Sequence, residues 1–370
     1  MKNESVIDQD WDRTVARLGG AAFLEREARE LGVFRRVRAI KHPVDLLRLT
    51  LAYCLGSMGL RLTAAWAEAI GLASLSNVAL LKRLRSMTAW LEILIARLLA
   101  APAGEVSPAR TNGRLIRLVD ATTVVKSGRD ARSTGGVWRV HAVFDLPTER
   151  FSAFELSDES QGERLDRASV VPGEIRIADR AYLQPDRLAR IFDAGADVII
   201  RAPWNGARWI DDNGNRIDLI TMLKTARKKQ VLDRPIWIET AAKRRIAVRL
   251  VALRKPVDAI AASVEKAKHT AKNKGKAVRP ETLLAAEWLI LVTSLDAKTF
   301  PPRNIGELYR MRWRIETAFK HLKSGLGLRK PPGEDAAIAK VYILCHLLMI
   351  LLTEPLLADY LGVSPRREAA

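Results

Sequence analysis

Apolar residues recur every three to four positions from about Asp12 to Leu99. The spacing is plainest in Val44-Asp-Leu-Leu-Arg-Leu-Thr-Leu51 and Trp90-Leu-Glu-Ile-Leu-Ile-Ala-Arg-Leu-Leu99, and it predicts a run of amphipathic helices. Between them, Thr63 to Ile70 reads as a short helix closed by Gly71. Ser76 then opens a second helix that carries Lys82, Arg83 and Arg85. A short helix, a glycine turn and a capped basic helix fit a helix-turn-helix and equally an ordinary helix pair in a bundle. Ala101-Pro-Ala-Gly-Glu-Val-Ser-Pro108 is a linker by composition.

Beyond the linker the period shortens. Arg114–Val119, Val137–Phe144, Arg150–Leu156, Ile175–Ala178 and Asp197–Ile200 read as strands. The turn Asp145-Leu-Pro147 joins the second to the third, and a helix from Gln184 to Ala194, stopped by Gly195, precedes the fifth. This order implies an α/β sheet of mixed strand direction. Residues 201–296 change texture again. Trp209-Ile-Asp-Asp-Asn-Gly214 is hairpin-like, and Pro235–Thr240, Ile246–Leu253 and Glu287–Thr293 are strand candidates, so the stretch reads as β-rich. Helices return from Ile305 to Leu326 and from Ala336 to Tyr360. The 12-residue apolar run Val341–Leu352 is too short to span a bilayer and reads as a buried helix.

Charge narrows the function. The 370 residues hold 61 Lys and Arg against 42 Asp and Glu, a formal net charge of +19, which favours a polyanionic partner. Between Lys224 and Arg279 there are 17 basic residues and only 4 acidic ones, and the stretch Lys266–Lys276 reads as an exposed helix or arm. Cys54 and Cys345 are too few for a disulfide framework or a cysteine zinc site. The polar start MKNESVIDQDWDR holds no signal-peptide core. No membrane is expected, and the expected location is the cytoplasm.

Asp120 and Asp179 each follow a short apolar strand, at the kind of sheet edge where α/β proteins bind ligands. Two carboxylates delivered there suit a hard divalent cation. Laid out at 100° per residue, the helix from Glu307 to Leu322 puts Tyr309, Arg312, Glu316, Lys320 and Lys323 within roughly 80°. Beside that arc runs the apolar stripe Leu308, Met311, Ile315, Phe319 and Leu322. The polar stripe fits a surface helix with i,i+4 ion pairs. It equally fits a metal-binding Glu among phosphate-binding neighbours.

Tyr309, Arg312, Glu316 and Lys323 have the spacing Tyr, two residues, Arg, three residues, Glu, six residues, Lys. Asp179-Arg180-Ala181-Tyr182 and the run Leu118-Val-Asp-Ala-Thr-Thr-Val124 precede it in order. In these motifs, over roughly Leu115–Gly327, the chain resembles bacterial insertion-sequence transposases of the Asp-Asp-Glu type, in the subgroup with the Tyr-Arg-Glu-Lys signature (insertion sequence family four). The resemblance implies a ribonuclease-H-like catalytic core interrupted by a β-rich insertion. The corresponding division is 1–110, a helical DNA-binding segment; 111–201, first part of the core; 202–296, β-rich basic insertion; 297–332, second part of the core; and 333–370, a C-terminal helical segment. It implies that Asp120, Asp179 and Glu316 bind two Mg²⁺ ions, which Mn²⁺ can replace, for strand cleavage at transposon ends and strand transfer. Arg312, Lys320 and Lys323 would hold end phosphates, with Tyr309 hydrogen-bonding one of them. The partners would be double-stranded DNA and a second copy of the chain. The helix Ala336–Tyr360, with Val341, Leu344, Leu347, Leu348 and Leu351 on one side, is a candidate interface, with burial in the chain's own core as the other reading. Trp288 would stack on a flipped base or else be a core residue, and Trp204, Trp209 and Trp237 share its neighbourhood. The same residues also fit a nuclease that cuts without joining, or a domesticated DNA-binding protein.

Overall fold

A computed structural model of the chain describes residues 6–101, 113–127, 136–205 and 207–361. Apart from Ala101, the expected linker lies outside the described residues, as do the boundary at 110/111 and residues 362–370. Six helices come first: α1 (Val6–Arg17), α2 (Gly20–Glu30), α3 (Pro43–Leu55), α4 (Leu60–Ala69), α5 (Asn77–Leu84) and α6 (Thr88–Leu99). Ser76 caps α5, its Oγ accepting the Ala79 N–H at 3.2 Å, as its place before an apolar run predicts.

Among the described residues, nine strands form one sheet. They are β1 (Ile116–Val125), β2 (Val137–Asp145), β3 (Arg150–Asp158), β4 (Ile175–Ala178), β5 (Asp197–Arg201), β6 (Trp209–Ile210), β7 (Val231–Glu239), β8 (Arg245–Arg254) and β9 (Trp288–Thr293). Their order is β3-β2-β1-β4-β5-β9-β8-β7-β6. The pairs β1–β4 and β4–β5 are parallel and the others antiparallel. The stretch 202–296 therefore continues the central sheet, through β9 on β5. It also holds three helices: α8 (Leu219–Ala226), α9 (Val257–Asn273) and α10 (Pro280–Ala286). Pro235 lies in β7, where β6 reaches only as far as Trp237 and Ile238, so its missing N–H leaves no ladder bond unmade.

Alternation along the strands divides the interior in two. Ile116, Leu118 and Val124 of β1 join a core shared with α1–α6, while Val119 belongs to the core on the opposite face. That second core is closed by α7 (Pro185–Asp193), α8 and α10. The first also takes in α11 (Pro302–Arg310), α12 (Trp313–Lys320) and α13 (Ala336–Leu361). By length and composition α13 could cross a membrane, but it packs on α3 and α6. Val341, Leu344, Leu347, Leu348 and Leu351 are all buried. The apolar side offered as a dimer interface is thus consumed within the chain, because the six N-terminal helices need a partner for their own apolar faces.

One expected helix is two. Between α11 and α12, Met311 and Arg312 donate i→i−3 hydrogen bonds to the carbonyls of Leu308 and Tyr309 at 3.1 and 3.0 Å. This tighter turn redirects the chain. A π-turn, His321–Gly325, then ends α12. Gly306 lets α11 settle onto β8, since a methyl group there would collide with the Leu253 side chain. The loop before α11 is anchored by buried Arg249, which grips Asp233 bidentately at 2.7 and 2.8 Å and donates to the Phe300 carbonyl at 2.6 Å.

The β1–β4 register depends on a buried charge cluster. Glu174 accepts from Arg176 at 2.5 Å and Arg117 at 2.8 Å, and neither Glu174 nor Arg176 is exposed. Arg176 also donates to the carbonyls of Leu165, Ala168 and Ser169, fastening the segment before β4. Removing one partner of such a group leaves uncompensated buried charge. Glu174→Ala should therefore cost about 3–5 kcal/mol, read as a lower denaturant midpoint with an unchanged slope.

Candidate active site at the ends of three parallel strands

The register pairs Val119 with Ala178, and Ala178 with Ile200. The next residues, Asp120, Asp179 and Arg201, therefore leave adjacent parallel strands side by side. Asp179 follows the end of β4 as expected. Asp120 does not end its strand: β1 runs on to Val125 against β2, and only its pairing with β4 stops at Val119. The carboxylate still reaches the ligand edge, because the neighbouring strand ends beneath it.

On the face above, α12 packs on β1 and α11 on β4, β5 and β8. The turn between them delivers Arg312 over the two aspartates. Its Nη2 lies 2.6 Å from Glu316 Oε1 and its Nη1 3.6 Å from Asp120 Oδ2. Its Nε donates to the Tyr309 hydroxyl at 3.2 Å, and Tyr309 donates in turn to Asp179 Oδ1 at 3.3 Å. The guanidinium also stands 5.6 Å from the Tyr309 ring centre. Arg312 thus ties together all three carboxylates singled out in the sequence, two directly and one through a phenol.

Exposure grades across the site. Glu316 is 54 % exposed and Asp120 19 %. Burial pushes the Asp120 carboxyl up to about 6, with Glu163 and Glu316 adding to the rise and the Ala121 N–H and Arg312 opposing it. Burial likewise raises the Tyr309 phenol to about 12. Burial opposes the charge on Arg312, but Tyr309 and Glu316 hold its pKa above the ordinary value.

Two site residues sit differently from expectation. Tyr309 is only 7 % exposed. Its ring packs in the core and only its hydroxyl reaches the site, because α11 is a separate helix with its own orientation. Trp288 is 2 % exposed, at the start of β9; it is a core residue and offers no stacking face. Trp209 is buried as well, and Trp237 donates its indole N–H to Asp212 at 2.9 Å. Lys320 is exposed and Lys323, within the π-turn, is half-buried; neither forms an ion pair with a described residue. Two residues near the site carried no flag in the sequence. Arg201 places its Nη1 3.8 Å from Asp179 Oδ1, and its position at the end of β5, directly after the apolar run Val198-Ile-Ile200, was the available signal. Trp313, the first residue of α12, is 44 % exposed.

Among the described residues no three metal-binding side chains stand close enough to share an ion. The donor set nevertheless suits one: hard carboxylate oxygens at one sheet edge, with a cationic guanidinium now lying between Asp120 and Glu316. A divalent cation bound there would take over the Arg312 contact with Asp120.

Burial of Asp120 has a measurable consequence. Its folded pKa lies above the unfolded value, so ionising it works against folding above pH 6, and the penalty disappears below about pH 4. In the metal-free protein, Asp120→Asn should raise the melting temperature at pH 7–8, with the gain shrinking as pH falls from 6 to 4. Added Mg²⁺ should stabilise the wild type more than the variant, both read by thermal unfolding.

Comparison with known proteins gives the same outline. Residues 111–352 match the model of the transposase DDE domain. The chain is 35 % identical over 363 residues, 96 % of each chain, to the transposase for insertion sequence element IS421 of Escherichia coli. It is 35 % identical over 362 residues, again 96 % of each, to the InsL protein of insertion sequence element IS186A from Escherichia coli strain K12. The transposase for IS231E of Bacillus thuringiensis subsp. finitimus is 23 % identical over 338 residues, 82 % of this chain and 70 % of the relative. With the carboxylates converging on one arginine and the domain matched over most of the chain, the protein belongs to the transposase DDE domain family.

Proposed function

We propose that the protein is the transposase of an insertion sequence, cutting the element's ends and joining them to target DNA in a cut-and-paste reaction, with Asp120, Asp179 and Glu316 as its catalytic carboxylates. The observation that carries this reading is the Arg312–Tyr309 bridge, which draws those three residues from two strands and a helix into one network. The strand order β3-β2-β1-β4-β5, with its antiparallel then parallel pairings, supports a ribonuclease-H-like core.

Two Mg²⁺ ions, for which Mn²⁺ can substitute, would supply an activated water or 3′-hydroxyl and charge stabilisation at the leaving oxygen. The chain's own part is positioning. Asp120 and Asp179 are fixed by strand register and Glu316 by the packing of α12. Arg312 pairs with Asp120 and Glu316 in the protein alone, and its planar fork suits a phosphate of the transposon end. Lys320 and Lys323, on the same segment and free of acidic partners among the described residues, extend that phosphate contact. The base-stacking role passes from Trp288 to Trp313, which is 44 % exposed directly after Arg312 and carries the Arg314 guanidinium 5.2 Å from its ring centre. The Lys266–Lys276 run, which spans the end of α9 and has no buried residue in that helix, attracts DNA through its charge. A homodimer on DNA remains part of the reading, with an interface other than the buried side of α13.

Alanine at Asp120, Asp179 or Glu316 should abolish strand cleavage of an end duplex in Mg²⁺ while leaving its binding within a few-fold of wild type. Arg312→Lys keeps the charge but loses the fork. It should slow excision by at least about tenfold with little change in affinity for unrelated DNA. Replacing the lysines of Lys266–Lys276 by glutamine should flatten the slope of log affinity against log salt by close to one unit per lost phosphate contact; an unchanged slope would mark the run as merely solvated.

A further inference from the structure

We infer that the hairpin of α9 and α10 holds the duplex on the far side of the cut, the flanking donor DNA that continues past the transposon end. The inference rests on the transposase reading and adds to it a partner for a part of the chain that the Tyr-Arg-Glu-Lys signature does not contain.

Strand register places the hairpin. Asp120 and Asp179 leave the parallel strands just after Val119 and Ala178, at the level of Ile200 in β5. β9 runs antiparallel to β5 with Leu291 opposite Arg201, so Trp288–Ile290 extend past the level at which the aspartates emerge. Trp288 pairs in turn with Arg254, the last residue of β8. The hairpin between Arg254 and Trp288 therefore springs from the catalytic edge, about 10 Å farther along the strand direction. In the strand order it stands on the β9–β8 side, whereas α12, which carries Lys320, packs on β1 on the other side of the carboxylates. A duplex held along α12 and cut at the carboxylates continues toward β9.

The foot of the hairpin is fixed. The Lys255 N–H donates to the Glu287 carbonyl at 2.9 Å. Its ammonium donates to Ser263 Oγ of α9 at 2.8 Å and to the Ala286 carbonyl at the end of α10 at 2.9 Å. Arg227 and Arg254 grip Glu287 at 2.7 and 3.3 Å. α10 packs on α8 and β9, and α9 on α10. The half-buried residues Ile260, Val264, Ala267 and Ala271 of α9 recur at the spacing of one helix face. The helix buries none of its 17 residues, and its length of about 25 Å matches roughly seven base pairs.

The exposed surface of this hairpin is cationic. Residues 257–279 hold six basic side chains and two acidic ones. Lys268 pairs with Glu265 at 2.8 Å. Lys266, Lys272, Lys274, Lys276 and Arg279 are all exposed, and none has an acidic partner among the described residues. Gly275, at φ +62°, folds the chain back so that the Lys276 N–H meets the Ala271 carbonyl at 3.0 Å, which returns Lys276 to the helix end beside Lys272 and Lys274. Exposed helices elsewhere in the chain interleave acids, Arg29 with Glu25 in α2 and Arg303 with Glu307 in α11. Uncompensated like charges on one helix oppose each other, and the closely spaced phosphates of a duplex are the surface that relieves them. The flank supplies those phosphates because it is continuous with the end already held on α12. Its capture is intramolecular, whereas a target duplex must be met from solution.

The test varies the flank and the lysines together. Full-length wild type and a Lys272→Gln, Lys274→Gln, Lys276→Gln triple variant are titrated in EDTA, by fluorescence anisotropy, against two duplexes. One is the transposon end stopping at the cut; the other carries about fifteen base pairs of flank, roughly twice what α9 can span. The flank should raise wild-type affinity about tenfold and steepen log affinity against log salt by close to one unit per contacted phosphate. The variant should lose most of that gain, with a much smaller loss on the flankless end, and its melting temperature should match wild type. Equal losses on both duplexes overturn the inference, since the hairpin would then attract DNA at large. It is also overturned if the variant keeps the flank's gain, whether the lysines are merely solvated or the variant joins pre-cut ends to target DNA more slowly, which would make the target the partner. If wild type neither prefers the end duplex to unrelated DNA nor cuts it in Mg²⁺, the transposase reading fails. If it cuts the ends while the flank adds no affinity, this inference fails alone.

Discussion

One guanidinium reaches all three carboxylates singled out in the sequence, Asp120 and Glu316 directly and Asp179 through the Tyr309 hydroxyl, and the architecture around them holds Arg312 in that position. Arg312 does this from the turn between α11 and α12. That turn is held by parts far from the chemistry. Gly306 allows α11 down onto Leu253 of β8, and Arg249 fixes the loop that leads into α11. Ile315 and Phe319 bury the other side of α12. Even the strands of the 202–296 stretch take part, because β8 is the floor on which α11 rests.

A second set of charges holds the strands beneath the first. Glu174, Arg176 and Arg117 fill the opposite end of the β1–β4 pair, where Asp145 adds another acid 3.1 Å from Arg117. The parallel pair is thus pinned by ion pairs at its start and opens onto the carboxylate row at its finish. Parallel pairing leaves side chains at the two ends unequal, since only the carboxyl ends free their last residues toward the helices above. Hence the buried cluster stays structural while the exposed one takes on chemistry.

Local pattern carried much of this into the sequence. The strands β2, β3, β4 and β5, the turn after Gly71, the cap at Ser76 and the placement of Asp179 after a short apolar strand all follow from neighbouring residues. Asp120, Asp179 and Glu316 each sit beside an apolar stripe, but each alone also fitted a turn or a surface ion pair, and it was the motif spacing of the resemblance that singled the three out together. What escaped depended on contacts distant along the chain. A wheel drawn from Glu307 to Leu322 assumes one axis, and the tight turn at Met311–Arg312 breaks it, so Tyr309 lies buried although its wheel position looked polar. Trp288 could have been read as surface or core, and only the pairing of β9 between β5 and β8 decides for the core. The α13 face that looked free in sequence is taken by α3 and α6, helices far earlier in the chain.

The charge economy of the site also links its ligands to one another. Arg312 pairs with Asp120 and Glu316 in the protein alone, so a divalent cation that took those oxygens would leave the guanidinium with the Tyr309 hydroxyl as its remaining partner. A phosphate offered at that moment gains a partner already aimed at the sheet edge. Conversely, DNA that draws Arg312 away leaves two carboxylates with their repulsion restored and a stronger hold on a cation. Each ligand thereby lowers the cost of the other, and by linkage the coupling runs equally in both directions. For an enzyme that cuts DNA, this arrangement keeps the full set of charges for the moment when cation and duplex are present together.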